Sequence, residues 1–452
     1  MPNIKRHYHD SCLLKYTIKR EYTRHNLFKE IESVMGMLLE RDLSYRLPRM
    51  HRVRQLFAAD EIEDVQREAL AQLSRADIRE KVRPGMKVAV AVGSRGIANI
   101  GIVVKAAVDR LAELGAIPFV LSAMGSHGGG TPEGQRSVLA GYGVTEECLG
   151  VPVVTNVKSE CIGHLKDGLP VYFDCEALHA DMVIPINRVK LHTDFVGPLQ
   201  SGLCKMLVIG LGNQEGCSTI HERAPEEFAA ILEEAARLIM ERVNVGFGIA
   251  LIDNAYHKTA WVEAVPNPGL IEREKELVIL SKRFMPALMI PKIDVLVVEQ
   301  IGKNISGCGF DPQVIGHSPA LRTPAVPVPE IGRMVLLGLS EESHGVAVGM
   351  GMFDVMLRSV LSSADLEATY INTLSAKLIE EARIPMMAQT EDEAIRIAVK
   401  AQRNLNKAAL KIVKIRNTLA LEEIWVSDAL LSAVKENPRM ELVPQEWQSC
   451  NS

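Results

Sequence analysis

Residues 86–123 read MKVAVAVGSRGIANIGIVVKAAVDRLAELGAIPFVLSA, and this stretch decides the fold. Met86 to Val92 is a short apolar run of valine and alanine that reads as a buried strand. The turn GSRG follows, and Asn99 to Leu114 then places apolar residues at helical spacing. Gly115 stops that helix in the usual C-terminal manner, and Ile117 to Ala123 is the next strand. A strand–helix–strand unit of this kind implies two parallel strands joined by a right-handed crossover. Parallel sheets carry their functional loops at the carboxyl ends of the strands. Here those loops are GSRGIAN (93–99) and MGSHGGGTPEGQ (124–135), both polar, glycine-rich and leading into helices.

Working outward, Asp60 to Ser74 has helical spacing with an acidic first turn. Further strands are expected at Val151 to Thr155, Asp181 to Ile186, Met206 to Ile209 and Val245 to Ile252. A helix over Leu270 to Phe284 runs into Pro286 and Pro291, after which Ile293 to Val298 starts a new strand. The stretch 317–332 has four prolines in sixteen residues and is expected to be irregular before a strand resumes at Gly332 to Gly338. Thr390 to Gln402 is a helix with a capping-box start, TEDE. The expected fold class is therefore α/β, with two α/β domains, mostly parallel sheets and an active site in the interdomain cleft. The expected limits are a loosely ordered basic extension over 1–34, a cofactor-binding domain over 35–285 and a C-terminal α/β domain over 286–405. A helical segment over 406–452 would pack back on the first domain.

Composition narrows the function class. The chain has 452 residues, 47% hydrophobic and 24% charged, enough apolar material for two cores without staples. A formal charge of −5 and 5% aromatics argue against a nucleic-acid partner, which needs basic surface and stacking platforms. The cysteines at 12, 148, 161, 175, 204, 217, 308 and 450 form no CxxC pair, so neither a zinc ribbon nor a dithiol motif is supported. Reduced thiols in a cytoplasmic setting fit this pattern, and no apolar run suits a bilayer span.

Several residues stand where chemistry is expected. His127 lies among glycines after a strand, and Thr131–Pro132 beyond it is a good helix start with anion-holding capacity. His192, in INRVKLHTDFVG, follows another apolar strand, so two histidines at neighbouring strand ends are placed to act as base and acid on one substrate. Lys205 adjoins a buried run, the setting of either a snorkelling edge residue or a nucleophilic amine. The following IGLGNQEG resembles a dinucleotide turn only loosely, with the wrong glycine spacing and no acidic ribose reader. His221, four residues after Cys217, reads on local grounds as structural; as a metal ligand it needs a cofactor to supply the other donors. Gln300 and Lys303 sit in a glycine-rich loop after the first strand of the second domain, and Glu342 and His344 in a comparable later loop.

Together these segments resemble the nickel-dependent lactate racemase superfamily, whose members racemise or epimerise 2-hydroxy acids. The resemblance spans about residues 85–310: MGSHGGGTPEG is similar to the family's first histidine motif, and LHTDFVGPLQSGLCK to its second-histidine-to-lysine segment. It implies that His127 and His192 are catalytic acid/bases and that Lys205 carries a nickel-pincer nucleotide (pyridinium-3-thioamide-5-thiocarboxylic acid mononucleotide with nickel). It further implies that His221 is the protein's nickel ligand, and that Arg95, Gln300 and Lys303 line the substrate site. The implied partners are a small 2-hydroxy acid and the cofactor-synthesis enzymes that supply the nucleotide, with no nucleic acid or membrane. Two features depart from the family: Val92 stands where it has an aspartate, and the interval from His192 to Lys205 is longer, so Phe195 to Leu199 must bulge or reshape the pocket. Two alternatives remain open, a nicotinamide-dependent hydroxy-acid dehydrogenase and a non-catalytic metabolite-binding homologue.

Overall fold

The computed structural model describes residues 37–93 and 96–446. Arg95 and the extension over 1–34 lie outside the described residues. In chain order the strands are β1 (Met50–Gln55), β2 (Lys87–Val92), β3 (Ile117–Ser122), β4 (Val153–Val154), β5 (Ser159–His164), β6 (Pro170–Asp174), β7 (Met182–Arg188) and β8 (Phe247–Asp253). They continue with β9 (Thr259–Pro266), β10 (Lys292–Val298), β11 (Glu330–Leu336), β12 (Val355–Leu357), β13 (Met386–Ala388), β14 (Ile412–Ile415), β15 (Glu423–Ser427) and β16 (Met440–Glu446).

Among the described residues these strands build a six-stranded sheet, ordered β4-β3-β2-β7-β8-β9, and an eight-stranded sheet, ordered β13-β12-β11-β10-β14-β15-β1-β16. Strands β5 and β6 form a separate hairpin. In the first sheet only β9 runs antiparallel, against β8. In the second, β10 to β14 are parallel, while β15, β1 and β16 are added antiparallel. The α/β class with mostly parallel sheets is thus the observed one.

The unit quoted at the outset forms as its pattern dictates. Val88, Val90 and Val92 of β2 face one core with the helices Val65–Ser74 and Ile100–Glu113, and Ala89 and Ala91 face the other with the helices Phe228–Arg242 and Leu270–Ser281. Burial on both faces is why β2 reads as an unbroken apolar run rather than an alternating one. In the second sheet Val295 and Val297 of β10 pack on the helix Glu391–Lys400, while Leu296 and Val298 pack against Phe310 and Phe353.

The strand order places the functional loops. From β2 the chain winds one way to β3 and β4, and from β7 it winds the other way to β8, so the crevice between β2 and β7 is a topological switch point. The second sheet has its own switch point between β10 and β14, where Gln300 N–H donates to Arg416 O at 3.0 Å.

Three expectations need correcting. Met206–Gly210 is not a strand but a π-helical turn, buried throughout. A short apolar run looks the same in a buried strand and a buried helix. The C-terminal stretch is not mainly helical: β14, β15 and β16 complete the second sheet rather than packing back on the first. Strand β1, early in the chain, also pairs there, with Met50 opposite Ser427 and Val53 opposite Leu442.

The chain therefore passes between the sheets near residue 56 and again near residue 290, and one side chain clamps both passages. Fully buried Gln55 donates from Nε2 to Ala287 O (3.1 Å) and Leu421 O (2.8 Å), and its Oε1 accepts from Met289 N–H (2.8 Å). Replacing Gln55 with leucine leaves those three backbone groups unpaired in the interior. The expected loss is roughly 2–4 kcal/mol, read as a lower urea midpoint with unchanged slope.

Candidate active site

The site is organised by the segment 203–221, which comprises a short helix Leu203–Lys205, the π turn Met206–Gly210 and a helix Asn213–His221. On one straight helix, the sixteen residues from Lys205 to His221 would hold them about 24 Å apart. The chain instead breaks at Asn213, whose φ of 53° is left-handed. That conformation is fixed by its side chain: Nδ2 donates to Asp174 Oδ2 (2.7 Å) and Lys158 O (3.1 Å) on the β5–β6 hairpin. The segment changes direction there. π turns are frequent at functional sites, where they re-aim side chains.

Three strand ends pack onto this segment. After β2, a side chain at Gly93 would meet Met206 Cε at 2.7 Å, so the loop that leads to Arg95 starts in contact with the residue beside Lys205. After β3, Gly125 N–H donates to Gly210 O at 3.0 Å and Ser126 Oγ lies 3.7 Å from Cys217 Sγ. That brings the exposed His127 to the same segment. After β7, the loop from 190 to 201 is closed by mutual backbone hydrogen bonds between Lys190 and Ser201, at 3.0 and 3.2 Å.

That last loop is the stretch expected to bulge. Phe195 and Leu199 are instead buried in the first core, at 2% and 1% exposure, and the extra length makes a closed platform for His192. Phe195 stacks on the imidazole (centroids 4.3 Å apart) and meets Phe228 edge-on at 5.4 Å; Phe228 in turn meets the His221 ring at 5.5 Å. The two histidines are thus separated by a packed pair of phenyl rings. His192 N–H donates to Gln200 Oε1 (2.8 Å), and its ring Nδ1 accepts from Asp194 N–H (3.0 Å). With Nδ1 accepting, a neutral ring carries its proton on Nε2, the nitrogen that contacts Lys205 Nζ. The contact is satisfied when the amine offers its lone pair, the form in which lysine is a nucleophile.

His221 is oriented the opposite way. Its Nδ1–H donates to Cys217 O at 2.6 Å, leaving the Nε2 lone pair for another partner. A backbone carbonyl behind the imidazole is the usual support of a metal-binding histidine. Burial pushes the His221 imidazole down, but the hydrogen bond and charge of Cys217 outweigh it and raise its pKa. Burial likewise pushes the Cys217 thiol up and is outweighed by His221, so that thiol titrates below its usual value. Among the described residues no three His, Cys, Asp or Glu side chains converge as a metal site, so a metal on His221 would need donors from a bound group.

The second sheet reaches the site through Gln313, 1% exposed, whose Nε2 donates to His192 O at 2.8 Å while its Oε1 accepts from Ala325 N–H at 2.8 Å. Lys303 Nζ donates to Asn372 Oδ1. Burial, reinforced by the Asp194 charge, pushes the Glu381 carboxyl up to about 8. Gln300 is held at the end of β10 by its backbone. Glu342 takes a 3.5 Å hydrogen bond from Asn304, and His344 adopts a left-handed turn.

Residues 46–230 match the lactate racemase N-terminal domain family. Over those residues the chain is similar to that domain family. Its fold resembles the lactate racemase apoprotein from Thermoanaerobacterium thermosaccharolyticum, with a TM-score of 0.53 over 81% of this chain and 94% of that one at 12% identity. It also resembles a protein from Thermotoga maritima, with a TM-score of 0.50 over 81% of this chain and 99% of that one at 13% identity. At such identities the likeness is one of fold. No curated protein matches the chain. Among the described residues no helix is long and apolar enough to cross a membrane.

The lactate racemase-like segment 203–221 has a support that its motifs do not reveal. Fully buried Glu274 accepts from Cys204 N–H at 2.8 Å, capping the turn that presents Lys205, and its Oε1 is buried without a partner. A side chain at Gly202 would lie 2.1 Å from that Oε1. Burial pushes the Glu274 carboxyl up to about 7 from 4.5. The folded protein then holds this proton more tightly than the unfolded chain does. Its contribution to stability is fully present below pH 4.5 and is lost as pH rises through about 7. Denaturant titrations from pH 4.5 to 8 should show this loss, at most about 3 kcal/mol, and Glu274→Gln should flatten that part of the profile.

Proposed function

We propose that the protein is a racemase or epimerase of a 2-hydroxy acid, an isomerase working through reversible hydride transfer to a nickel-pincer nucleotide. The observation that carries this reading is the convergence on one folded-back segment of Lys205, His192 and His221. An amine meets one imidazole, and a second imidazole is held with its Nε2 lone pair available. These residues fit the group: Lys205 offers the nitrogen for its covalent link and His221 a single donor for nickel, as a cofactor that brings its own donors requires. When bound, that group supplies the hydride acceptor.

The chain's own residues handle the proton and the substrate. His192 exchanges the substrate's hydroxyl proton, acting from the tautomer whose Nε2 lone pair faces the substrate rather than from the Nε2–H tautomer of the Lys205 contact. His127, on the loop after β3, serves the opposite isomer. Arg95 and Lys303 hold the carboxylate and Gln300 lines the same site. The substrate is a small 2-hydroxy acid, the cofactor-synthesis enzymes are the supplying partners, and the setting is cytoplasmic.

The dehydrogenase reading has less support, because IGLGNQEG follows a π-helical turn rather than a strand and lacks the strand–turn–helix context of a dinucleotide site. A non-catalytic homologue would bind hydroxy acids without isomerising them.

Protein produced with the cofactor-making enzymes should carry one nickel and a mass adduct on Lys205. Lys205→Ala should abolish the adduct, and His221→Ala should lower nickel content more than tenfold while leaving the adduct. His127→Ala and His192→Ala should each slow C2 exchange of a hydroxy-acid panel by about 10²–10⁴-fold. Unmodified, nickel-free wild-type protein, or full turnover in both histidine variants, would sink this reading.

A further inference from the structure

Two glutamine side chains hold the backbone of His192. Gln200, in the same loop, accepts from its N–H at 2.8 Å, and Gln313, from the second sheet's side, donates from Nε2 to its carbonyl at 2.8 Å. With the peptide groups on both sides of the Cα held, the direction in which the imidazole leaves the backbone is set. The Gln313 bond is the one of the two that crosses between the sheets.

Gln313 sits at the seam of the two cores. Its neighbours Val314 and Ile315 pack in the second core with Phe310. Ala325, whose N–H donates to Gln313 Oε1 at 2.8 Å, packs with Val326 against the first core. These partners also fix which way the amide points. With its oxygen accepting from Ala325 N–H, its nitrogen is the atom that meets the His192 carbonyl.

The backbone beneath the side chain is equally fixed. The sequence FDPQVIG opens a one-turn helix, Pro312–Ile315, and its cap Asp311 accepts from Gln313 N–H at 2.9 Å. Asp311 N–H in turn donates to buried Thr418 Oγ1 at 2.8 Å, in the loop after β14. The run Thr418–Asp311–Gln313–His192 therefore joins the switch point of the second sheet to that of the first. A buried amide can serve stability alone. This one ends on the carbonyl of a residue whose ring meets Lys205, which ties it to the chemistry.

We propose that Gln313 is a positioning residue for His192, held across the seam so that the alignment of the base depends on how the two sheets are docked. This rests on the reading of His192 as an acid/base of a 2-hydroxy-acid isomerase. A base must stand within hydrogen-bond reach of the proton it exchanges, and a misplacement of about 1 Å costs about 10²-fold in rate. Loss of the Gln313 bond is therefore felt in turnover more than in substrate binding.

Two variants separate the bond from the packing. Gln313→Met keeps the length and removes both hydrogen bonds. Gln313→Glu keeps the acceptor for Ala325 N–H and donates to the His192 carbonyl only while its carboxyl is protonated, a state that burial and the Asp311 carboxylate favour. In cofactor-loaded protein, Gln313→Met should lower kcat for C2 exchange by roughly 10–100-fold, with KM changed less than about threefold and nickel content unchanged. The kcat of Gln313→Glu, taken as a ratio to wild type so that titration of His192 itself cancels, should be near one at pH 6 and fall as the pH rises. In apoprotein carrying 15N-histidine, the His192 ring signals should move in Gln313→Met while those of His221 stay. Wild-type kcat in a folded Gln313→Met variant overturns the assignment, and so does a Gln313→Glu ratio that ignores pH. The second variant retains both bonds at low pH and so decides the matter even where the first does not fold. Full turnover in His192→Ala would remove His192 as a base; an unmoved His192 signal in Gln313→Met would then overturn the alignment as well, and a moved one would support it.

Discussion

A carboxylate wedged against Gly202 is the contact on which the centre of this protein depends. Glu274 occupies the space that any side chain at Gly202 would need, and accepts from Cys204 N–H in the turn bearing Lys205. The cost is a partnerless, fully buried oxygen. Such a group is retained when the surrounding structure gains more from the geometry it imposes than it loses in desolvation. Here it fixes where the segment 203–221 begins, and the Asn213–Asp174 hydrogen bond fixes where that segment turns back. With both ends set, loops from β2, β3 and β7 have a rigid surface to pack on.

His192 shows how many independent parts of the fold converge on one ring. Gln200 holds its backbone N–H, Gln313 its carbonyl, Asp194 its Nδ1 and Phe195 its face. Three of those come from the same closed loop and one from the other sheet. An imidazole held in this way has little rotamer freedom left to lose when a ligand arrives, the preorganisation that acid–base catalysis rewards.

The parallel unit was legible because its strands are apolar on both faces and its helix ends at glycine; β2, β3, β7, β8 and β10 all lie within a few residues of their expected places. The strands β1, β15 and β16 were not, because edge and antiparallel strands mix charged and apolar residues, as MHRVRQ does. In the site, histidines and Lys205 announce themselves by lying in polar loops beside apolar runs. Gln313 and Glu274 acquire their roles only through packing across long sequence separations. Glu274 did leave a signal: it shares the buried face of its helix with Leu270, Ile271, Leu277 and Val278, and a glutamate at such a position demands a partner.

The place of β1 in the second sheet has a consequence for how the protein comes into being. Every strand of the first sheet is complete by Pro266, so that sheet can assemble while synthesis continues. Strand β1, made earlier than any of them, must wait for β15 and β16, almost four hundred residues later, before either edge of its backbone is paired. During that interval it is an open template for foreign strands. Its two arginines, Arg52 and Arg54, give it the charged character that discourages such pairing. Glu423, once made, pairs with both arginines and turns that same charge into part of the finished sheet.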